Sequence, residues 1–159
     1  MGRNTYSFRS IWHADARPDE VYRALREVDD YPAWWPEVSR VEPVDDATYD
    51  MVVRSLLPYD LVFRTVRSRE DPDERVLEAS MVGDLTGFSR WTIMASGHRT
   101  RMVFEEQVEA QKRLLRRLGI VARPAFAANH ELMMRHGQRG LRAYLAGLRR
   151  GELRGGEGG

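Results

Sequence analysis

Between Val38 and Gln111 apolar residues recur at every second position, and the breaks between the alternating runs are short. The runs are Val38 to Val44, Thr48 to Leu57, Asp60 to Arg69, Arg75 to Gly83, Gly87 to Gly97 and Thr100 to Gln111. Asp45-Asp46, Pro58, Asp71-Pro72-Asp73, Gly83-Asp84 and Gly97-His98 mark the turns. Parallel neighbours need crossovers of roughly a dozen residues or more, and there is no room for them. The runs therefore predict an antiparallel meander, one face of which must be covered.

The flanks supply what the meander lacks. Tyr6 to His13 alternates as a further strand, with Tyr6, Phe8 and Trp12 on one parity. Pro18 followed by Asp19 and Glu20 marks a helix start, and Val21, Leu25 and Val28 give that helix an apolar stripe. Pro32 and Pro36 bracket Trp34 and Trp35 and break any long helix, which predicts a short helical turn or a tight connection. After the meander the period returns to 3.6: a short helix over Lys112 to Leu118, then a long one from Pro124 to about Arg149. Only the long helix is large enough to cover the sheet. On it Phe126, His130, Met133, Met134, Gly137, Leu141, Tyr144, Leu145 and Leu148 share one wide stripe, with Glu131, Arg135, Gln138, Arg139 and Arg142 opposite.

Within that helix the stretch HELMMRH suggests the zinc pattern H-E-x-x-H. The ligands of that pattern are four residues apart and share a helix face. His130 and His136 are six apart, a rotation of roughly 120°, so one ion cannot hold both. No metal and no cofactor is expected. The chain has no cysteine, which excludes thiolate sites and disulfides. With 42% hydrophobic and 31% charged residues in 159, it reads as one globular domain, 5–150, followed by a flexible tail, 151–159. No apolar stretch approaches the roughly 20 residues of a membrane span, and MGRNTYSFRS has no secretory h-region. A cytoplasmic protein is expected. Arginine supplies all the basic residues but Lys112, yet 24 acidic residues balance 25 basic ones, so no nucleic-acid partner is expected.

The order of elements resembles the START-like superfamily, also called SRPBCC or Bet v 1-like, including its polyketide cyclase/dehydrase and lipid-transport group. Four stretches carry the resemblance: RPDEVYRALREVDDYPAWWPEV, LLPYDL at Leu56 to Leu61, GDLTGFSRW at Gly83 to Trp91, and RPAFAANHELMMRHGQRGL at Arg123 to Leu141. It implies an α+β helix-grip: a seven-stranded curved antiparallel sheet around a long C-terminal helix, two short helices after the first strand, and an enclosed apolar cavity.

Given that fold, strand parity predicts the cavity wall. Met102, Phe104, Glu106, Val108 and Ala110 share a face, as do Trp91, Ile93 and Ala95; Leu77, Ala79 and Met81; and Tyr49, Met51, Val53, Ser55 and Leu57. The parities of Asp60 to Arg69 are mixed and assign no face. The expected ligand-binding residues are Tyr49, Met51, Met81, Trp91, Met102, Phe104, Glu106, Phe126, His130 and Met133, with Glu106 and His130 as catalytic candidates. Such residues build a filled core equally well, and the resemblance favours the pocket. A histidine across the cavity would be a donor for a buried Glu106; alternatively Glu106 lies near the strand's open end and His130 bonds a backbone carbonyl. Asn129 is expected to cap or bond a loop, Tyr59 and Asp84 to be turn residues, with Tyr59 alternatively closing a mouth, and Arg54, Arg64 and Arg90 to face solvent, with Arg90 alternatively paired to Asp84.

The expected function is binding or carriage of a hydrophobic small molecule such as a lipid, quinone or polyketide-like aromatic. The alternative is a polyketide aromatase/cyclase or dehydratase using Glu106, His130 and Tyr49 or Tyr144 in the same cavity. The basic, leucine-bearing stretch Lys112 to Leu118 suggests transient membrane-surface contact, and a monomer or homodimer is expected.

Overall fold

The computed structural model describes residues 5–54, 60–111, 113, 116 and 122–155. Its strands are β1 (Thr5–Ala14), β2 (Val38–Pro43), β3 (Thr48–Val53), β4 (Leu61–Asp71), β5 (Val76–Gly83), β6 (Leu85–Ser96) and β7 (Arg99–Ala110). The helices are α1 (Pro18–Arg26), α2 (Tyr31–Trp34) and the long α3 (Ala122–Gly155), with a single 3-10 turn at Val28–Asp30. The strands form one seven-stranded antiparallel sheet in the order β1-β7-β6-β5-β4-β3-β2. The period-two meander thus pairs neighbour with neighbour, and β1 closes onto β7. No described helix is long and apolar enough to cross a membrane.

Local chemistry sets the element ends. Pro18 lies in the first turn of α1, where its missing N–H costs nothing, and Glu20 reaches back to accept from the Arg17 N–H at 3.4 Å. Tyr31 begins α2 and donates its hydroxyl to Leu25 O at 2.6 Å, tying α2 to α1. Gly87 has φ +156°, and a Cβ there would lie 2.0 Å from Gln107 O, so only glycine lets β6 come this close to β7.

The sheet wraps α3 in a helix-grip, and the helix packs differently along its length. At Gly137 a Cβ would meet the Trp12 and Trp35 rings at 2.7 Å; at Gly140 it would lie 1.7 Å from Trp34 O. Trp12, Trp34 and Trp35 pack together, Trp12 also against Trp91, with ring centroids 4.8–6.3 Å apart. Leu141 and Leu145 are buried in the same core. Burial of each such side chain contributes roughly 1.5–3 kcal/mol. The middle of α3 is also stitched to β1: Gln138 Oε1 accepts from the His13 N–H at 2.8 Å, and Arg142 donates to His13 O at 2.6 Å.

Several boundaries differ from the sequence expectation. β3 ends at Val53, and Ser55, Leu57 and Tyr59 lie outside the described residues. Of Lys112 to Leu118 only Arg113 and Arg116 are described, both exposed, so the membrane-facing stretch also lies outside them. α3 runs through Gly155, past the expected end near Arg149, so the first part of the expected tail is helical. Leu148, expected in the buried stripe, is 49% exposed, since the stripe there has passed beyond the sheet's cover.

Candidate functional site

A partly open cavity of about 160 Å³ lies between the sheet and the N-terminal half of α3. Tyr49, Met51, Met81, Trp91, Phe104, Glu106, Phe126, His130 and Met133 all line it. Met102 does not. It is fully buried, but it stands opposite Trp12 and Ile93, at the end of the sheet that the tryptophan cluster fills. Parity places Met102 on the correct face without saying how far along the face the cavity extends. Ala95 is likewise not a wall residue; it is exposed beside the β6–β7 turn.

Sequence reasoning missed two contributions, one from β1 and one from β4. Tyr6 and Phe8 line the cavity from β1, and their shared parity in the sequence carried that signal. Leu61, Phe63, Thr65 and Arg67 face in from β4. All four share one parity, ahead of the register shift between Arg67 and Arg69; the run reads as mixed because polar Thr65 and Arg67 stand on the inward parity and Val62 and Val66 on the outward one. Arg67 is largely buried, donates to Arg26 O at 2.6 Å and sits 5.9 Å from the centre of the Tyr49 ring.

The register explains how polar groups reach an apolar chamber. Phe8, Glu106, Ser89, Ala79 and Arg67 stand side by side across β1, β7, β6, β5 and β4. This row is flanked on one side by Tyr6, Val108, Gly87, Met81, Thr65 and Tyr49, and on the other by Phe104, Trp91 and Leu77. Glu106, Ser89 and Arg67 therefore share one row across the wall, between two mainly apolar rows.

His130 faces this wall from α3. Its ring stacks on Phe8 at 3.8 Å between centroids and 8° between planes, and Phe104 lies 6.3 Å away. Its Nε2 is buried with no hydrogen-bond partner, contrary to the expected backbone carbonyl bond. Phe8 thus stacks on the imidazole and is the cross-strand neighbour of Glu106. Among the described residues no hydrogen bond or ion pair joins Glu106 to His130. Burial alone pushes the Glu106 carboxyl up to about 7. Burial likewise holds the His130 imidazole down to about 4, with Glu131 opposing weakly. Desolvation penalises the charged form of each, so both move toward neutrality. Near pH 7 His130 is a neutral imidazole and Glu106 is close to half-protonated.

The remaining polar candidates sort themselves by place. Asn129 is buried, lines the cavity and donates to Met133 Sδ at 3.4 Å. His136 bonds Glu37 outside the cavity. Tyr144 does not line the cavity; its hydroxyl is raised by burial and by the nearby Asp30 and Glu27 carboxylates. Arg90 is only partly exposed and bonds Glu78 at 3.1 Å, its cross-strand neighbour, rather than Asp84. Asp84 instead accepts from the Val62 N–H at 2.8 Å, as a turn residue does. Trp35 lines the cavity and donates Nε1–H to Met133 O at 3.0 Å, anchoring the short segment to α3.

Solved structures share this fold. The Zhui aromatase/cyclase from Streptomyces sp. R1128 superposes with TM-score 0.74 at 15% identity, over 89% of this chain and 94% of that one. A START superfamily protein from Mycobacterium smegmatis gives 0.72 at 17%, over 89% and 98%. TTHA0849 from Thermus thermophilus gives 0.70 at 19%, over 87% and 99%. No curated protein matches the chain in sequence. The family model described as polyketide cyclase / dehydrase and lipid transport matches residues 7–149, nearly the whole chain. The chain belongs to that family.

Proposed function

We propose that this protein binds and carries a hydrophobic small molecule in the cavity beneath α3. The observation that carries the reading is a mainly apolar cavity whose wall holds an unpartnered imidazole nitrogen, His130 Nε2, and an isolated carboxyl, Glu106. A buried polar atom without a partner costs about 1–3 kcal/mol, which a ligand hydroxyl or carbonyl would offset. Cavities of about 150 Å³ take a benzene ring, so this one, at about 160 Å³, suits a compact aromatic or alicyclic body. Larger ligands need Met51, Met81, Met133 and Met134 to change rotamer, which unbranched thioethers do readily. Native mass spectrometry of the purified protein tests the reading. A co-purifying apolar compound, displaced or weakened in His130→Ala and Glu106→Gln, is the expected result; binding of no apolar compound, including added one-ring aromatics, overturns it.

A catalytic reading has one specific observation in its favour. Glu106 is close to half-protonated near neutrality and stands opposite Ser89, as a group that both gives and takes a proton would. The Streptomyces relative is itself named as an aromatase/cyclase. An aromatase/cyclase or dehydratase function for this chain predicts turnover of a polyketide-type substrate that falls at least a hundredfold in Glu106→Gln. Unchanged turnover removes Glu106 from the chemistry.

A further inference from the structure

A half-open cleft of about 290 Å³ adjoins the cavity, lined by Pro36, Glu37, Arg54, Asn129, Leu132, Met133 and His136. Asn129 and Met133 belong to both linings, so these two side chains, bonded to each other, form the partition. The segment after α2 crosses the same boundary: Trp35 faces the inner cavity, and the next two residues, Pro36 and Glu37, face the outer cleft. Two elements therefore pass from the cavity to the cleft, side by side.

The outer cleft has its own polar group. Glu37 is only 14% exposed at its side chain. His136 Nδ1 engages its Oε1, while Oε2 is buried and accepts no hydrogen bond. Pro36, Leu132 and Met133 provide apolar walls around it. Arg54 is mostly exposed and is turned toward Asp60 at 3.7 Å, so it does not neutralise Glu37. A carboxylate offers acceptors only, so what completes Glu37 is a donor.

We infer that the outer cleft is a second binding subsite, taking the hydrogen-bond-donating end of a molecule whose apolar body occupies the inner cavity. Glu37 accepts from a hydroxyl on that molecule, His136 holds the carboxylate in place, and the Met133 thioether is the part of the partition that swings aside. The ligand class is an elongated amphiphile: a ring at one end, a short apolar spacer and an uncharged donor at the other. The inference rests on the proposed ligand-binding function of the inner cavity.

Three probes separate the cavity from the cleft: butylbenzene, 4-phenylbutan-1-ol and the methyl ether of that alcohol. Binding is read from the tryptophan fluorescence, since Trp35 and Trp91 line the inner cavity. The alcohol is expected to bind wild type roughly tenfold or more tighter than the ether, as a hydrogen bond to a charged acceptor warrants. Glu37→Gln weakens that preference, because a neutral amide replaces the charged acceptor. Leu132→Trp, which fills the cleft from a residue that does not line the inner cavity, abolishes the preference. Both variants leave butylbenzene affinity unchanged. If butylbenzene binds but alcohol and ether do not differ, or the preference survives both variants, the outer subsite is wrong and the inner cavity stands. If no probe binds, the reading of the inner cavity fails and takes the subsite with it.

Discussion

Replacing Gly140 by alanine tests whether α3 is seated as tightly as the packing implies. The new Cβ would lie 1.7 Å from Trp34 O, about 1.5 Å inside ordinary contact for such a pair. The acceptor atom is backbone, in a segment held by the Trp34 ring against Tyr31, Trp12 and Trp35, so it cannot rotate away. The helix must retreat instead. Retreat loosens Gly137 from the Trp12 and Trp35 rings and stretches the Trp35 Nε1–H bond to Met133 O. Overpacking costs typically 1–3 kcal/mol and the hydrogen bond about 1, against about 1 kcal/mol gained in helix propensity. A net loss of roughly 1–3 kcal/mol is expected. Gly147 is the control, because a Cβ there meets nothing within 4 Å. Gly147→Ala should stabilise by about 0.5–1 kcal/mol from propensity alone. Urea unfolding followed by tryptophan fluorescence measures both; with a slope near 2 kcal/mol per molar, midpoints should move by about 1 M or more in opposite directions taken together. Equal stabilisation by the two alanines would refute the close approach, and with it the account of why the tryptophan end of the sheet is filled.

The two cavity ionisations give predictions of opposite sign. Glu106 titrates near 7 when folded, above its value of 4.5 in an open chain, so its contribution is most favourable at low pH and is lost as pH rises from 4.5 through 7. The loss amounts to about 3 kcal/mol by pH 8, and Glu106→Gln should gain on wild type by that much between pH 4 and pH 8 in denaturant midpoints. His130 titrates near 4 against 6.5 unfolded, so wild type loses stability as pH falls from 6.5 through 4, again by about 3 kcal/mol. His130→Phe, which keeps a ring against Phe8, should show a smaller acid loss than wild type; parallel curves would mean the imidazole is not desolvated. Arg67→Met should weaken binding of a carboxylate-bearing aromatic more than that of its neutral amide, as isothermal calorimetry would show, because the guanidinium is the described cation on the cavity wall.

Legibility in the sequence followed the kind of information each feature needs. Alternation and turn spacing were enough for the meander, because short connections leave antiparallel pairing as the sole option. The same alternation gave the faces of β3, β5 and β7, and the helical stripe set His130, Met133 and Phe126 toward the sheet. It did not give depth: Met102 has the right parity but lies where the tryptophans leave no space. The β4 wall, including Arg67, was hidden because polar Thr65 and Arg67 stand on the inward parity while Val62 and Val66 stand on the outward one. The pairing of Glu37 with His136 joins a loop to a helix 99 residues away, which no local period encodes. The same limit applies to Phe8 over His130, where both partners were visible as inward residues and their contact was not.

The pairing of β1 with β7 sets when this chamber can come into being. Every other pair in the sheet joins consecutive strands, whereas the β1–β7 partners are separated by 86 residues at Ala14 with Thr100 and by 104 at Thr5 with Glu109. The hairpins from β2 to β7 can zip one after another as the chain leaves the ribosome; β1, made first, has no partner until β7 has been synthesised. During that interval Tyr6, Phe8 and Trp12 are an unpaired aromatic edge. The chamber also needs Phe126, His130 and Met133 from α3, which follows β7 in the chain, so a growing chain has no pocket to fill until both β7 and α3 have been made.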